Sequence, residues 1–203
     1  MKTHVLLANC TVPTKSETAG KTDEAVAKFI KSRKRSDVVL ATKVAGRSER
    51  INWLRNDGSS TVVNRKQILE SVDASLTRLK VDYIDLLQIH WPDRYIGGLF
   101  GQRDFSISES LGKEAVSFEE QLSTLKEVID AGKVRYIGVS NETPYGVCTM
   151  VEMAKYSPEL VRISSKMNTP SSVISRLTFY HNRQVSSYCF DSKWILVGGQ
   201  KKL

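Results

Sequence analysis

Three short apolar runs in the sequence end in residues that bond or move protons. Lys43 closes the run from Val38 to Val44, His90 closes Tyr83 to His90, and Ser140 with Asn141 follows Val134 to Val139. An amine, an imidazole and a hydroxyl beside a carboxamide are polar groups that form directed hydrogen bonds. Singly, Lys43 reads as a strand-end cation reaching solvent, and His90 as a satisfied histidine at a loop start. Active sites of parallel α/β proteins lie at the carboxyl ends of the strands, so such residues on successive strands point into one site.

The elements that must position them follow from apolar period, with short β-branched runs between amphipathic helices. Thr22 is placed to cap a first helix, with Asp23 and Glu24 in its first turn and Ala25, Val26, Phe29 and Ile30 as its stripe. A second helix starts near Asn64 and sets Ile68, Leu69, Val72, Leu76 and Leu79 on one face. Ser117 to Glu120 has capping-box spacing ahead of Leu122, Leu125 and Ile129, and Thr143-Pro144 opens another helix. Strands are expected at Asp37 to Val44, Tyr83 to His90, Val134 to Val139 and near Leu160 to Ser165, with the faintest signal at Thr3 to Ala8.

Repeated strand and helix units imply a parallel sheet, because parallel neighbours need a crossover of about a dozen residues. The fold class is α/β, a parallel sheet forming a partial (β/α)8 TIM barrel of about five of its eight units. The connection from Trp91 to Ala115 is long, carries glycines and follows a strand, which marks it as a functional loop. Residues 1–168 form the partial barrel. Residues 169–203, where periodicity fades, read as a divergent, poorly structured tail, with Trp194 to Gly199 as a short strand within it.

With 203 residues, 40% of them hydrophobic and 26% charged, the composition is that of an ordinary globular protein. No run approaches the roughly 20 apolar residues of a membrane-spanning helix, and no secretory signal pattern opens the chain. A soluble protein with no membrane partner is expected. Cys10, Cys148 and Cys189 have no C-x-x-C spacing, so neither a disulfide framework nor a metal site is encoded. The net charge of +8 is mostly dispersed, and its tightest cluster, Lys31 to Arg35, ends a helix where cations complement the dipole. No nucleic-acid partner is expected.

Leu40-Ala-Thr-Lys-Val44, Asp82-Tyr-Ile-Asp-Leu-Leu-Gln-Ile-His-Trp-Pro-Asp93 and Gly132-Lys-Val-Arg-Tyr-Ile-Gly-Val-Ser-Asn141 resemble the aldo-keto reductase family in order and spacing. Pro13 to Glu24 extends the resemblance, which runs from Val12 to Asn168 and is nearest the long-loop bacterial and plant type. It implies a (β/α)8 barrel that binds NADPH and passes hydride to a small-molecule aldehyde or ketone. Family catalysis uses Asp, Tyr, Lys and His. Tyr donates a proton to the carbonyl oxygen, His polarises that oxygen, and Lys, paired with Asp, makes the Tyr a better acid.

Carried over residue by residue, Lys43 matches the lysine and His90 the histidine, while Trp91 would line the substrate pocket. Ser140 and Asn141 match the pair that bonds the nicotinamide carboxamide, and Asn168 aligns with a further cofactor-binding asparagine. Met167 stands where a glutamine usually precedes it, and Val5 and Cys10 fall where the family has Asp and Tyr. Nothing in residues 169–203 resembles the family's segments for cofactor phosphate and adenine. The implied protein is an NADP-linked oxidoreductase whose chain is truncated or alternatively ended, with impaired activity, in the cytoplasm or alternatively a plastid. Two other readings stand beside it. One is a non-catalytic partial barrel that associates through uncovered sheet edges and binds or regulates a partner such as a full-length relative. The other is a chain too short of barrel units to hold a stable fold.

Overall fold

A parallel strand covered on both faces has no solvent side, which is why its sequence reads as an unbroken apolar run. The computed structural model describes residues 4–7, 20–55, 57–97, 105–111, 114–167 and 195–196. In chain order its elements are β1 (His4–Leu7), α1 (Lys21–Lys31), β2 (Val38–Val44), α2 (Arg65–Leu79) and β3 (Ile84–Ile89). A short α3 (Ile107–Ser110), α4 (Phe118–Asp130), β4 (Val134–Ser140), α5 (Pro144–Tyr156), β5 (Ile163–Met167) and β6 (Ile195–Leu196) follow. All six residues of β3 are buried.

The strands lie side by side in the order of the chain, and β1 to β5 are parallel. Winding that adds each strand beside the last is that of a (β/α) barrel, whereas a doubly wound sheet reverses direction at a switch point. The partial barrel expected from the sequence is therefore the observed architecture. β6 departs from it, because it pairs antiparallel with β5 through Ser165 with Leu196 and Lys166 with Ile195. It is the two-residue core of the strand expected in Trp194 to Gly199.

Helix boundaries follow their caps. Asn64 accepts from Gln67 N at 2.9 Å to start α2, and Thr143 accepts from Gly146 N at 3.1 Å ahead of Pro144 in α5. Ser117 caps α4 by accepting from Glu120 N at 3.1 Å, but the return arm of the capping box is diverted. Glu120 Oε1 instead accepts from Arg65 N at 3.0 Å, joining α4 to the start of α2.

The first helix starts earlier than Thr22. Its cap is Gly20, with φ of 79°, a left-handed conformation that glycine adopts without strain, and no side-chain cap bond. A Cβ at Gly20 would lie 2.5 Å from Arg78 Cδ. That close approach leaves Asp23 buried and ion-paired to Arg78 at 2.8 Å, so it joins α1 to α2 instead of facing water.

The main core lies between the sheet and α2, α4 and α5, where Val44, Ile68, Leu87, Ile89, Leu122, Leu125, Ile137, Val139 and Met150 pack together. Each such side chain contributes roughly 1.5–3 kcal/mol by leaving water. A smaller cluster of Ile30, Val38, Leu40 and Leu79 seats α1. At the amino ends of the strands Asp85 accepts from Arg35 at 2.7 Å, Arg135 at 3.0 Å and Leu40 N at 2.9 Å. The two guanidinium carbons lie 4.0 and 3.8 Å from the Tyr83 ring centroid. Among the described residues, no helix is long and apolar enough to cross a membrane.

Candidate functional site

Alternation along β2 decides where Lys43 goes. Val38, Leu40 and Val44 pack toward the helices, so Lys43 projects from the opposite face of the strand, where it is 6% exposed. Its partner in register is Gln88, which in turn faces Gly138 of β4. His90 and Ser140 stand one step beyond the paired Ile89 and Val139. His90 N donates to Val44 O at 2.8 Å, extending the β2 and β3 ladder past the strand end. Lys43, His90 and Ser140 thus share one face at the carboxyl ends of three neighbouring strands.

Asn141 turns the chain out of β4 with φ of 56°, a left-handed conformation that asparagine tolerates. Its Nδ2 donates to His90 O at 2.9 Å and to Ser140 Oγ at 3.2 Å, tying the end of β4 to the end of β3. The serine hydroxyl accepts there, so its own proton is directed elsewhere. A hydroxyl and a carboxamide side by side can complement a ligand group that both donates and accepts.

His90 is the electrostatic centre of the cluster. Burial, with the nearby Lys43 charge as the lesser cause, pushes its pKa down to about 3. At neutral pH it is therefore an uncharged imidazole, able to donate an N–H to an oxygen. Its Nδ1 is buried with no hydrogen-bond partner among the described residues.

Trp91 lies beside it, ring centroids 4.8 Å apart at 51°. The indole is only 2% exposed, and Nε1 donates to Arg47 O at 2.9 Å. Gly46 permits this packing, because a Cβ there would strike both the Trp91 carbonyl and its indole. Trp91 therefore stands as a packed wall next to His90.

The positions aligned with the missing family groups are less fully described. Val5 of β1 pairs in register with Val39, four residues before Lys43 along β2. Met167, where the family has a glutamine, pairs in register with Ser140 at the end of the neighbouring strand. Cys10 and Asn168 lie outside the described residues.

The site includes residues that the motif reading did not single out. Asp93, the last residue of the run from Asp82, is a buried hub that accepts from Val63 N, Val116 N and Arg47. Arg94 pairs with Glu142, the residue after Asn141. The signal in sequence was an Asp-Arg pair directly following His-Trp-Pro. Among the described residues no group of three or more His, Cys, Asp or Glu side chains is placed to hold a metal.

The pattern described as the aldo/keto reductase family matches residues 18–189. An aldo-keto reductase of Babesia bovis is 43% identical over 124 residues, which are 59% of this chain and 43% of that protein. Protein tas of Escherichia coli is 38% identical over 178 residues, 87% of this chain and 49% of tas. A solved aldo/keto reductase from Klebsiella pneumoniae, in complex with NADP and acetate, superposes with a TM-score of 0.48 at 19% identity, covering 73% of this chain and 38% of that one. The chain spans less than half the length of these relatives.

Proposed function

Because this chain belongs to the aldo/keto reductase family, we propose that its strand-end cluster serves NADPH-dependent reduction of a small aldehyde or ketone. The observation that carries the reading is the convergence of Lys43, His90 and Ser140 on one face, with Asn141 bonded across to His90. When bound, NADPH would supply a hydride to the carbonyl carbon. Ser140 and Asn141 would hold its carboxamide, which fixes the nicotinamide face, and Asn168 is the further cofactor-binding residue of this reading. Neutral His90 donates its ring N–H to the carbonyl oxygen as negative charge grows there. Trp91 closes the wall behind it and excludes water.

Lys43 stands on the same face and, where charged, would lower the pKa of an acid placed beside it. In this chain that acid position holds Cys10, and the lysine's partner position holds Val5. A thiol is several ångströms shorter than a phenol, so proton delivery is poor and turnover is slow although the cofactor binds. The first 168 residues carry this activity in the proposal, and residues 169–203 are peripheral to it.

Carbonyl-dependent NADPH oxidation by the chain, by Cys10→Tyr and by Cys10→Tyr with His90→Ala tests this reading. A positioned general acid is worth about 10²–10⁴ in rate, so the tyrosine should raise turnover at least tenfold and the second change should abolish the gain. Equal, background rates in all three, with no NADPH bound, would contradict it. A partner-binding role has a separate motive. Phe105, Ile107 and Leu111, on and around α3, are 57–72% exposed. Concentration-dependent association lost in Ile107→Ser with Leu111→Ser would favour it.

A further inference from the structure

The loops after β2, β3 and β4 are tied in series through two adjacent residues of the middle loop. Asp93 has a fully buried side chain. Its Oδ1 accepts from Val63 N at 2.7 Å, and its Oδ2 accepts from Arg47 Nη2 at 2.9 Å, both in the loop after β2. The same Oδ2 accepts from Val116 N at 2.7 Å, which folds the far end of its own loop back onto it. Arg94 reaches the opposite way. Its Nη1 donates to Glu142 Oε2 at 2.9 Å and its Nη2 to Thr143 Oγ1 at 2.7 Å, in the turn after β4.

Each arm ends on a residue of the proposed site. Arg47, gripped by Asp93, offers its backbone carbonyl to the Trp91 indole N–H. Glu142, gripped by Arg94, follows Asn141, whose amide bonds His90 O. Gly146 leaves room for the second arm, since a Cβ there would strike the Glu142 carboxylate and the Arg94 guanidinium. A bidentate guanidinium and carboxylate pair fixes direction as well as distance.

We propose that Asp93 and Arg94 are positioning residues that form a two-way clasp. Asp93 sets the Trp91 side of the site, toward the carbonyl substrate, and Arg94 through Glu142 sets the Ser140 and Asn141 side, toward the nicotinamide. This deepens the reading of the site as an NADPH-dependent reductase and rests on it for the identity of the two sides. The clasp itself is readable without cofactor. Because the arms share no atoms, they should fail separately, whereas two residues that merely stabilise the fold would disturb both sides together.

The test uses the full chain, labelled with nitrogen-15, and two variants, Asp93→Asn and Glu142→Gln. Trp91→Phe identifies the Trp91 indole signal and Asn141→Asp the Asn141 side-chain amide. A charge-assisted hydrogen bond lost inside a loop corresponds to about tenfold in a local opening equilibrium. Asp93→Asn should therefore lower the exchange protection of the Trp91 indole about tenfold, with the Asn141 amide signal and NADPH affinity within about twofold of wild type. Glu142→Gln should shift the Asn141 amide and weaken NADPH about tenfold, with the indole unchanged. Arg47→Ala, which keeps both backbone bonds to Asp93, should reproduce the indole effect and serves if Asp93→Asn does not fold. Equal disturbance of both signals by each variant overturns the clasp. If wild-type chain binds no NADPH, the functional reading fails, and the two amide signals still decide the clasp.

Discussion

Two buried carboxylates flank β3, and they do different work with nearly the same bonds. Asp85 at its start accepts from Arg35, Arg135 and Leu40 N, groups that belong to strands β2 and β4 or to the turn entering β2. Asp93 beyond its end accepts from Arg47, Val63 N and Val116 N, all in loops. A carboxylate bonded to strands can only hold the sheet together, whereas one bonded to loops decides where the loop side chains stand. The chemistry of an aspartate does not tell its role. Which end of a parallel strand it occupies does, because the carboxyl ends carry the site and the amino ends carry stability.

Loss of the amino-end carboxylate should cost the most stability. Asp85→Ala removes the acceptor that two guanidiniums and a strand N–H share, although Arg35 keeps its bonds to Val38 O and Tyr83 O, and should cost about 2–3 kcal/mol in urea unfolding, discounted because Arg135 is half exposed. NADPH affinity of the surviving folded protein should be unchanged. A loss of affinity as large as that from Glu142→Gln would erase the distinction between the two ends.

Gly46→Ala attacks the carboxyl end without touching a charge. The added methyl meets the Trp91 backbone carbonyl, which cannot rotate away, so about 2–3 kcal/mol of overpacking is expected. Unlike Asp85→Ala, it should also move the Trp91 indole resonance.

His90 has a folded pKa near 3 against about 6.5 unfolded, so between these values the unfolded chain holds the extra proton. Stability contributed by neutral His90 is then fully present above about pH 6.5 and is lost as pH falls toward 3. At pH 5 the loss is about 2 kcal/mol relative to pH 7, and His90→Gln should remove that part of the slope in urea midpoints. An identical slope in the variant would mean that His90 is solvated.

The smallest effect is a local control. Asn64→Ala removes the α2 cap and should cost about 1 kcal/mol in the same unfolding assay, with no change in either the Trp91 or the Asn141 signal.

Local structure was legible wherever the deciding interaction is local. Asn64, Ser117 and Thr143 cap their helices as their spacing indicates, because a cap bonds three residues ahead. The runs ending at Lys43, His90 and Ser140 were legible because burial on both faces leaves an apolar stretch that ends abruptly where the site begins. Less legible were residues whose partners are remote in sequence. The Arg47 and Asp93 pair spans 46 positions, and nothing near either residue announces the other. Thr22 lost the cap to Gly20 because Arg78, from the next helix, lies against that glycine. The close packing of Gly46 against Trp91, 45 positions away, was equally silent in the sequence.

If the ends of β2, β3 and β4 make a nicotinamide site, NADPH stabilises the folded chain, which thermal unfolding with and without NADPH reads. At 100-fold excess over Kd the cofactor should add about 2.7 kcal/mol and raise the transition by several degrees. Ser140→Ala should reduce that rise at the same NADPH concentration. A cooperative transition that stays in place at saturating NADPH would contradict a nicotinamide site there.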